Sequence, residues 1–568
     1  MKKFYQLFKS NLPYLVICGA FIWACLVIAT RHAQKTEPGI IVIRIGHWQL
    51  EGGVRDGINS LAREYEKLNP NVRILQEAIP ESIWKQWVST QLMGGTAPDL
   101  LEIGNMESNL VTAFYLRYFI PLTNYVGRPN PYNKGTSLEG VPLINTFKDG
   151  MRRSYVEENQ EYMNIPLSMV GVRLFYNKDL LKKLTGRSEP PTNYREFLKL
   201  CEKIQQQKHP SGKPYIAIAS SGWHFSRWDG ALFRPITYPV IRSIDFNKDG
   251  RFSKEEMFYG VVTGRISLDN PYYLAYFDMI QEVSAFFPNG YTGLTRDEAI
   301  FPFAQQRVVF IPAGVYEIVG LQQQAAGVFE VGISKFPQVD ENDPVYGKIF
   351  EGEPYENQEG GFPVGITRTS RHPEIAADFL LFLVSQKGNE ALNRHFGWIP
   401  IIEGAGATPE IALFQPNLEG VFPAFDATLG GETTIKWQQL ISLYQVNQIT
   451  KEDLIKDFDA FYRTKGREDF DELIRNRYRG IQRDEQIARG LMIRAMALED
   501  KPEALGFWIK YRTMINGRIM GLDSQNRRLI KAVEAGQQEG QVDLSEYSAQ
   551  AVARIKEANA KGPNNQKP

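Results

Sequence analysis

At 568 residues the chain is too long for one hydrophobic core, so two or more domains are expected. Hydrophobic residues at 43% and charged residues at 23% fit a folded globular protein and exclude a disordered one. Lys plus Arg and Asp plus Glu each number 65, and this neutral average gives no reason to expect nucleic acid or an anionic surface as partner.

In chain order, Lys2, Lys3 and Lys9 precede an apolar run from Leu12 to Thr30, about the minimum that spans a bilayer. The positive charges place the N-terminus in the cytoplasm and the remainder outside. Residues 1–36 therefore read as a membrane anchor, or as a signal cleaved near the small residues Val27 and Ala29. Cys18 and Cys25 lie within that run, and bulky Trp23 argues against lipid attachment at Cys25. Cys201 is thus alone in the exported part, so that part has no intrachain disulfide and no cysteine-built metal site.

The β-branched run Ile40–Ile45 predicts a buried strand ending at Gly46-His47-Trp48. Val54, Ile58, Leu61, Tyr65 and Leu68 then mark one face of a helix, stopped by Asn69-Pro70-Asn71. Val72–Gln76 predicts a second strand, Ile83–Leu92 a second helix and Leu100–Ile103 a third strand. Strand–helix repeats at this spacing predict a parallel sheet with helices on both faces, with ligand beyond the carboxyl ends of its strands. Those ends carry Trp48-Gln49 and Gly104-Asn105. Further on, Val170–Tyr176, Ile216–Ala219 and Arg307–Ile311 read as strands, and Thr192–Gln207 and Ile375–Val384 as helices. From Thr450 strand signals vanish, and Asp453–Tyr462, Phe470–Ile481, Gln486–Leu498 and Ala504–Met520 read as separate helices. A weak helix, Glu546–Ala558, and a flexible end complete the chain.

The most specific local pattern is Asp245-Phe246-Asn247-Lys248-Asp249-Gly250-Arg251-Phe252-Ser253-Lys254-Glu255-Glu256, which fits the twelve-position EF-hand calcium loop. Asp245, Asn247 and Asp249 would offer side-chain oxygens, Arg251 its carbonyl, Ser253 its hydroxyl or a water, and Glu256 two oxygens. Pro235 and Pro239 lead us to expect no entering helix, so the loop reads as a lone structural Ca²⁺ site; a metal-free Asp/Asn/Gly turn is the alternative.

Several stretches together resemble the extracellular solute-binding proteins of bacterial ABC-type sugar importers, the maltodextrin-like, two-lobed type II fold. These are Ile45-Gly46-His47-Trp48, Tyr65-Glu66-Lys67-Leu68-Asn69-Pro70, Gly94-Gly95-Thr96-Ala97-Pro98-Asp99, Leu174-Phe175-Tyr176-Asn177-Lys178-Asp179, Gly360-Gly361-Phe362-Pro363 and Pro373-Glu374-Ile375-Ala376-Ala377-Asp378. The likeness runs from Ile40 to about Ile402 and does not cover the helical region after Thr450. It implies two α/β lobes closing on a hinge. By analogy lobe 1 holds residues 40–163 and 303–363, and lobe 2 holds 164–302 and 364–450. A helical extension at 451–535 and a tail at 536–568 follow. It also implies an oligosaccharide ligand, an ABC permease as membrane partner and an extracytoplasmic location.

A sugar presents apolar C–H faces and a polar rim, which aromatic rings and Asp, Glu, Asn, Gln or Arg complement. Candidates are Trp48, Gln49 and Asn105 at strand ends and Trp223, Arg227 and Trp228 in one predicted loop. Tyr316 and Glu317 fall where relatives place a cleft aromatic; Gly361 allows close backbone approach, and Trp398 lines the pocket or packs. Gly-x-Ser-x-Gly, His-Glu-x-x-His and Walker motifs are absent, and the six His lack ligand spacing, so a binding protein is expected rather than an enzyme. Two other readings stay open: a tethered sensory or scaffold protein, and a polysaccharide-degrading enzyme whose paired carboxylates lie far apart in sequence.

Overall fold

The computed structural model describes residues 39–522 except 105, 107, 247–249, 357–359 and 499–500, together with residues 19, 23 and 524. Apart from residues 19 and 23, the predicted membrane segment lies outside the described residues, as does the predicted helix near the C-terminus. Among those described, no helix is long and apolar enough to cross a membrane.

Strand β1 (Ile41–His47) is followed by helix α1 (Val54–Leu68), β2 (Val72–Ala78), α2 (Glu81–Gly94) and β3 (Leu100–Glu102). The 4–3–4 spacing of Val54, Ile58, Leu61 and Tyr65 buries all four on the sheet, each worth about 1.5–3 kcal/mol if fully transferred from water. Leu68, expected on that face, is exposed because the helix ends there, with the Asn69 N–H returning to the Tyr65 carbonyl. The first sheet has the order β2-β1-β3-β11-β6, where β6 is Ile165–Met169 and β11 is Gly360–Ile366. Only β1, β2 and β3 are parallel; β11 runs antiparallel to both neighbours, so the expected all-parallel sheet is a mixed one.

The second sheet has the order β10-β7-β9-β8, built from β7 (Val172–Asn177), β8 (Ile216–Ile218), β9 (Val308–Gly314) and β10 (Val331–Ser334). This corrects the expected lobe limits. Residues 308–334 belong with the second sheet, whereas β11 and the helices Pro373–Leu383 and Gln386–Phe396 return to the first. Hydrophobic strands at both places made the assignment by analogy ambiguous, and hydrogen-bond pairing decides it.

The chain passes between the sheets at Val170-Gly171, between Ser334 and Gly360, and again after Phe414. Arg173 ties all three passages. Its guanidinium pairs with Glu356 at 2.9 Å and donates to the carbonyls of Leu413 at 2.9 Å and Gln415 at 2.7 Å.

The first three of the four predicted helices after Thr450 merge into one, Lys451–Ala497, of 47 residues and roughly 70 Å at 1.5 Å per residue, and the fourth stays separate. It starts on a Thr450–Asp453 capping box. Its first half lies on the second lobe, where Phe470 stacks on Phe258 at 4.7 Å and Arg477 pairs with Glu255 at 2.5 Å. The helix Glu503–Thr513 and the turns after it reach the first lobe through the Lys510–Glu161 ion pair and Arg518 with Glu157 at 2.6 Å. The extension therefore straps both lobes.

Candidate functional site

The loop after β1 meets the second lobe where Glu51 pairs with Arg296, which lies beside the short helix Gly222–Trp228 and the turn after β9. Ser221 caps that helix: its hydroxyl accepts the His224 N–H and lies 2.8 Å from His224 Nδ1. The capping turns Trp223 toward Tyr316, 6.5 Å away edge-on, and Tyr316 toward Trp398 at 6.1 Å. Trp398 touches Phe362, which touches His47, so an aromatic chain runs from one lobe to the other.

Charge accompanies the rings. Arg296 lies 5.6 Å over Trp223 and 5.4 Å over Tyr316, while Arg227 lies 4.3 Å over Trp223. Arg296 pairs with Glu317 at 3.1 Å in its own lobe and with Glu51 of the first lobe at 3.7 Å. Burial raises the carboxyls of both Glu51 and Glu317, against the pull of the Arg296 charge. At the end of β3, Glu102 accepts from the Gln49 side chain at 2.6 Å and from the Trp48 N–H at 3.2 Å.

Among the described residues, Trp48 Nε1, Glu51 Oε2, His224 Nε2, Arg227 Nε and Trp398 Nε1 are buried without a hydrogen-bond partner. Each such group costs free energy until something bonds to it. Burial holds His47 near 4 and His224 near 3, so both rings are neutral at physiological pH.

Burial also lifts Glu102 to about 8, so it carries a proton at neutral pH. A folded-state value raised from 4.5 gives stability that is complete at low pH and lost as pH rises toward 8. Glu102→Gln is expected to remove this loss. Compared by thermal unfolding, the mutant should gain on the wild type by about 1.4 kcal/mol per pH unit between pH 5 and 8.

Of the predicted residues, Trp223, Arg227, Tyr316, Glu317 and Trp398 surround this junction, whereas Trp48 and Gln49 lie at the end of β1 in the first lobe, both bonded to Glu102. Asn105 lies outside the described residues. Trp228 is a core residue: it is fully buried, edge-on to Phe336 at 4.9 Å and near Phe197. Trp223-to-Trp228 is helix rather than loop, which sends the two rings to different sides. Gly361 serves chain packing, since a Cβ there would fall 2.7 Å from Val170 Cγ1. Glu51 and Arg296 were missed. Glu51 follows Trp48-Gln49 directly, a visible signal, but Arg296 looks in sequence like an ordinary first-turn residue after the Thr295 cap. A cavity of about 620 Å³ lined by Tyr176, Lys178, Glu189, Gln322 and Glu330 lies elsewhere and involves none of these aromatics.

At the predicted calcium loop, Asp245 accepts the Gly250 N–H at 2.9 Å, and Gly250 takes the left-handed backbone that the sharp turn needs. Glu256 is buried and accepts from Ser253 N–H and hydroxyl. Contrary to expectation a helical segment does enter the loop. The chain passes both prolines as a tighter 3₁₀ turn, Arg234–Val240, and resumes as Ile241–Ile244. Asn247 and Asp249 lie outside the described residues, and among those described no three His, Cys, Asp or Glu gather as metal ligands.

A family model for bacterial extracellular solute-binding proteins matches residues 60–415. YcjN of Escherichia coli (strain K12), assigned as an ABC transporter periplasmic-binding protein, is 22% identical over 261 residues, 45% of this chain. The match spans about half the relative, 51% of its length. The bacterial solute receptor AcbH, described by its exclusive preference for β-D-galactopyranose, superposes with a TM-score of 0.51 at 14% identity, covering 76% of this chain and 99% of its own. Ligand-free RafE from Streptococcus pneumoniae gives 0.49 at 17% identity, covering 76% and 99%.

Proposed function

The chain belongs to the bacterial extracellular solute-binding proteins, and on that basis we propose that it captures a carbohydrate between its lobes for an ABC importer. One observation carries the reading. An aromatic wall of Trp223, Tyr316 and Trp398 stands beside buried polar atoms that have no partner among the described residues. Rings stack on the C–H faces of a pyranose, while Trp48 Nε1, His224 Nε2 and Glu51 meet its hydroxyls. The Glu51–Arg296 pair joins the lobes across the junction, so opening at the Arg173 passages admits ligand and closing traps it. The site lies outside the cytoplasm, and the permease receives the solute there.

A thermal-shift screen of neutral oligosaccharides tests this. A true ligand raises the melting temperature with the logarithm of its concentration, and Trp223→Ala removes the response. No shift with any oligosaccharide would refute a carbohydrate ligand. A receptor that reports occupancy to a partner is a second reading, favoured by the helical strap that touches both lobes.

The reading includes a structural Ca²⁺ in the loop Asp245–Glu256, supported by the Asp245–Gly250 turn and the helices on either side. Millimolar Ca²⁺ is expected to raise the melting temperature, EDTA to reverse it, and Asp249→Asn to abolish it; a melting temperature indifferent to Ca²⁺ would count against the site.

A further inference from the structure

The strap touches the two lobes through different chemistry. On the second lobe, Leu454, Phe458, Tyr462 and Phe470 of the long helix are buried in that lobe's own hydrophobic core. On the first lobe the contact is polar. Lys510 pairs with Glu161, Arg518 reaches Glu157 at 2.6 Å and Glu158 at 3.2 Å, and the Gln160 amide donates to the Lys510 carbonyl at 2.8 Å. These partners all sit in one hairpin, β4 (Tyr155–Val156) with β5 (Glu161–Tyr162). Among the described residues, no apolar side chain of the strap joins the hydrophobic clusters of the first lobe.

The strap also holds together as one piece. Ile481, Ala488, Met514 and Ile519 form an apolar cluster between its two arms, and Asp484 of the long helix pairs with Arg518. A unit built this way cannot follow both lobes when they turn against each other. Glu161 precedes the Val170-Gly171 passage by up to roughly 30 Å of extended chain, at about 3.3 Å per residue. A rotation of about 15° at that radius moves it several ångströms, beyond ion-pair reach. The polar seat gives way first, because partly exposed charges regain water on separation whereas buried rings lose their burial.

We propose that the polar seat is a latch: it holds the lobes closed, and release of Glu157, Glu158 and Glu161 is a step in opening. The inference rests on the reading that the lobes open to admit ligand. With the latch engaged, Glu51 and Arg296 stay in contact across the junction. With it released, the strap rides on the second lobe through its apolar seat. The latch slows escape of a trapped solute. It also makes opening sensitive to salt, since the Debye length falls from about 10 Å at 0.1 M to about 3 Å at 1 M.

The test places spin labels at Leu50→Cys and Phe301→Cys in the full chain with its native cysteines replaced. Both positions are exposed, and they flank the Glu51–Arg296 contact, so opening lengthens the distance between them. Pulsed electron paramagnetic resonance reads the closed and open populations with no sugar present, so a failed carbohydrate screen leaves this result standing. A partly exposed ion pair is worth about two- to fivefold in an equilibrium. Lys510→Glu removes one such pair and adds repulsion from Glu161, so the open-to-closed ratio should rise about tenfold at low salt. Adding Glu161→Lys should reverse most of that rise, which separates the latch from misfolding and from any effect on Glu51–Arg296. An unchanged distance distribution in Lys510→Glu, or a rise that Glu161→Lys does not reverse, would overturn the proposal.

Discussion

Arg173→Ala is expected to cost about 3 kcal/mol of folding stability, read by calorimetry as a melting temperature several degrees lower. Arg173 is buried, and one guanidinium holds Glu356 and two carbonyls that belong to the other two passages between the lobes. Truncation leaves the Leu413 and Gln415 carbonyls without that donor. Glu356 is partly exposed and regains water, which keeps the cost at the low end for a broken buried pair. Arg173→Lys should restore less than half, because a point ammonium cannot reproduce the planar fork. A loss under 0.5 kcal/mol would mean that the three passages hold together without it.

Phe258→Ala is expected to cost about 4 kcal/mol, through lost burial and the cavity left behind. Its ring is fully buried, stacked on Phe470 and 5.4 Å from Tyr462, both on the long helix. The same change should raise proteolysis within residues 451–497, since the strap loses the aromatic contact of Phe470 and Tyr462 with the second lobe. Loss of stability without new cleavage in the strap would show that the ion pairs at Glu255 and Glu161 suffice to hold it.

The residues that set the fold were largely readable where periodicity alone decides structure. The 4–3–4 spacing of Val54, Ile58, Leu61 and Tyr65 gave a helix whose bounds hold, and the β-branched run before His47 gave β1. Pairing between distant strands was not readable: β11 joins β3 and β6 through hydrogen bonds that span hundreds of residues and leave no local trace. The long helix was read in the sequence as three separate segments, and Gly466 lies in the gap between the first two. A Cβ there would come 3.3 Å from the Phe258 ring, so glycine suits the close approach of the helix to that ring. In the site, Trp223 and Tyr316 were readable as aromatic residues beside strand ends, and the two rings meet at the junction. Trp228 was misjudged because a seven-residue helix, unrecognised after Ser221, rotates it into the core. Arg296 carries no local signal, and its role appears once the fold brings Glu51 and Glu317 to it.

The most direct test is the affinity of an oligosaccharide hit, by titration calorimetry, for wild type, Trp223→Ala and Trp508→Ala. Loss of a ring from the junction should cost about 2 kcal/mol, some thirtyfold in Kd, whereas Trp508→Ala on the outer strap should leave Kd unchanged. Equal affinities for wild type and Trp223→Ala would place the ligand elsewhere and contradict capture between the lobes.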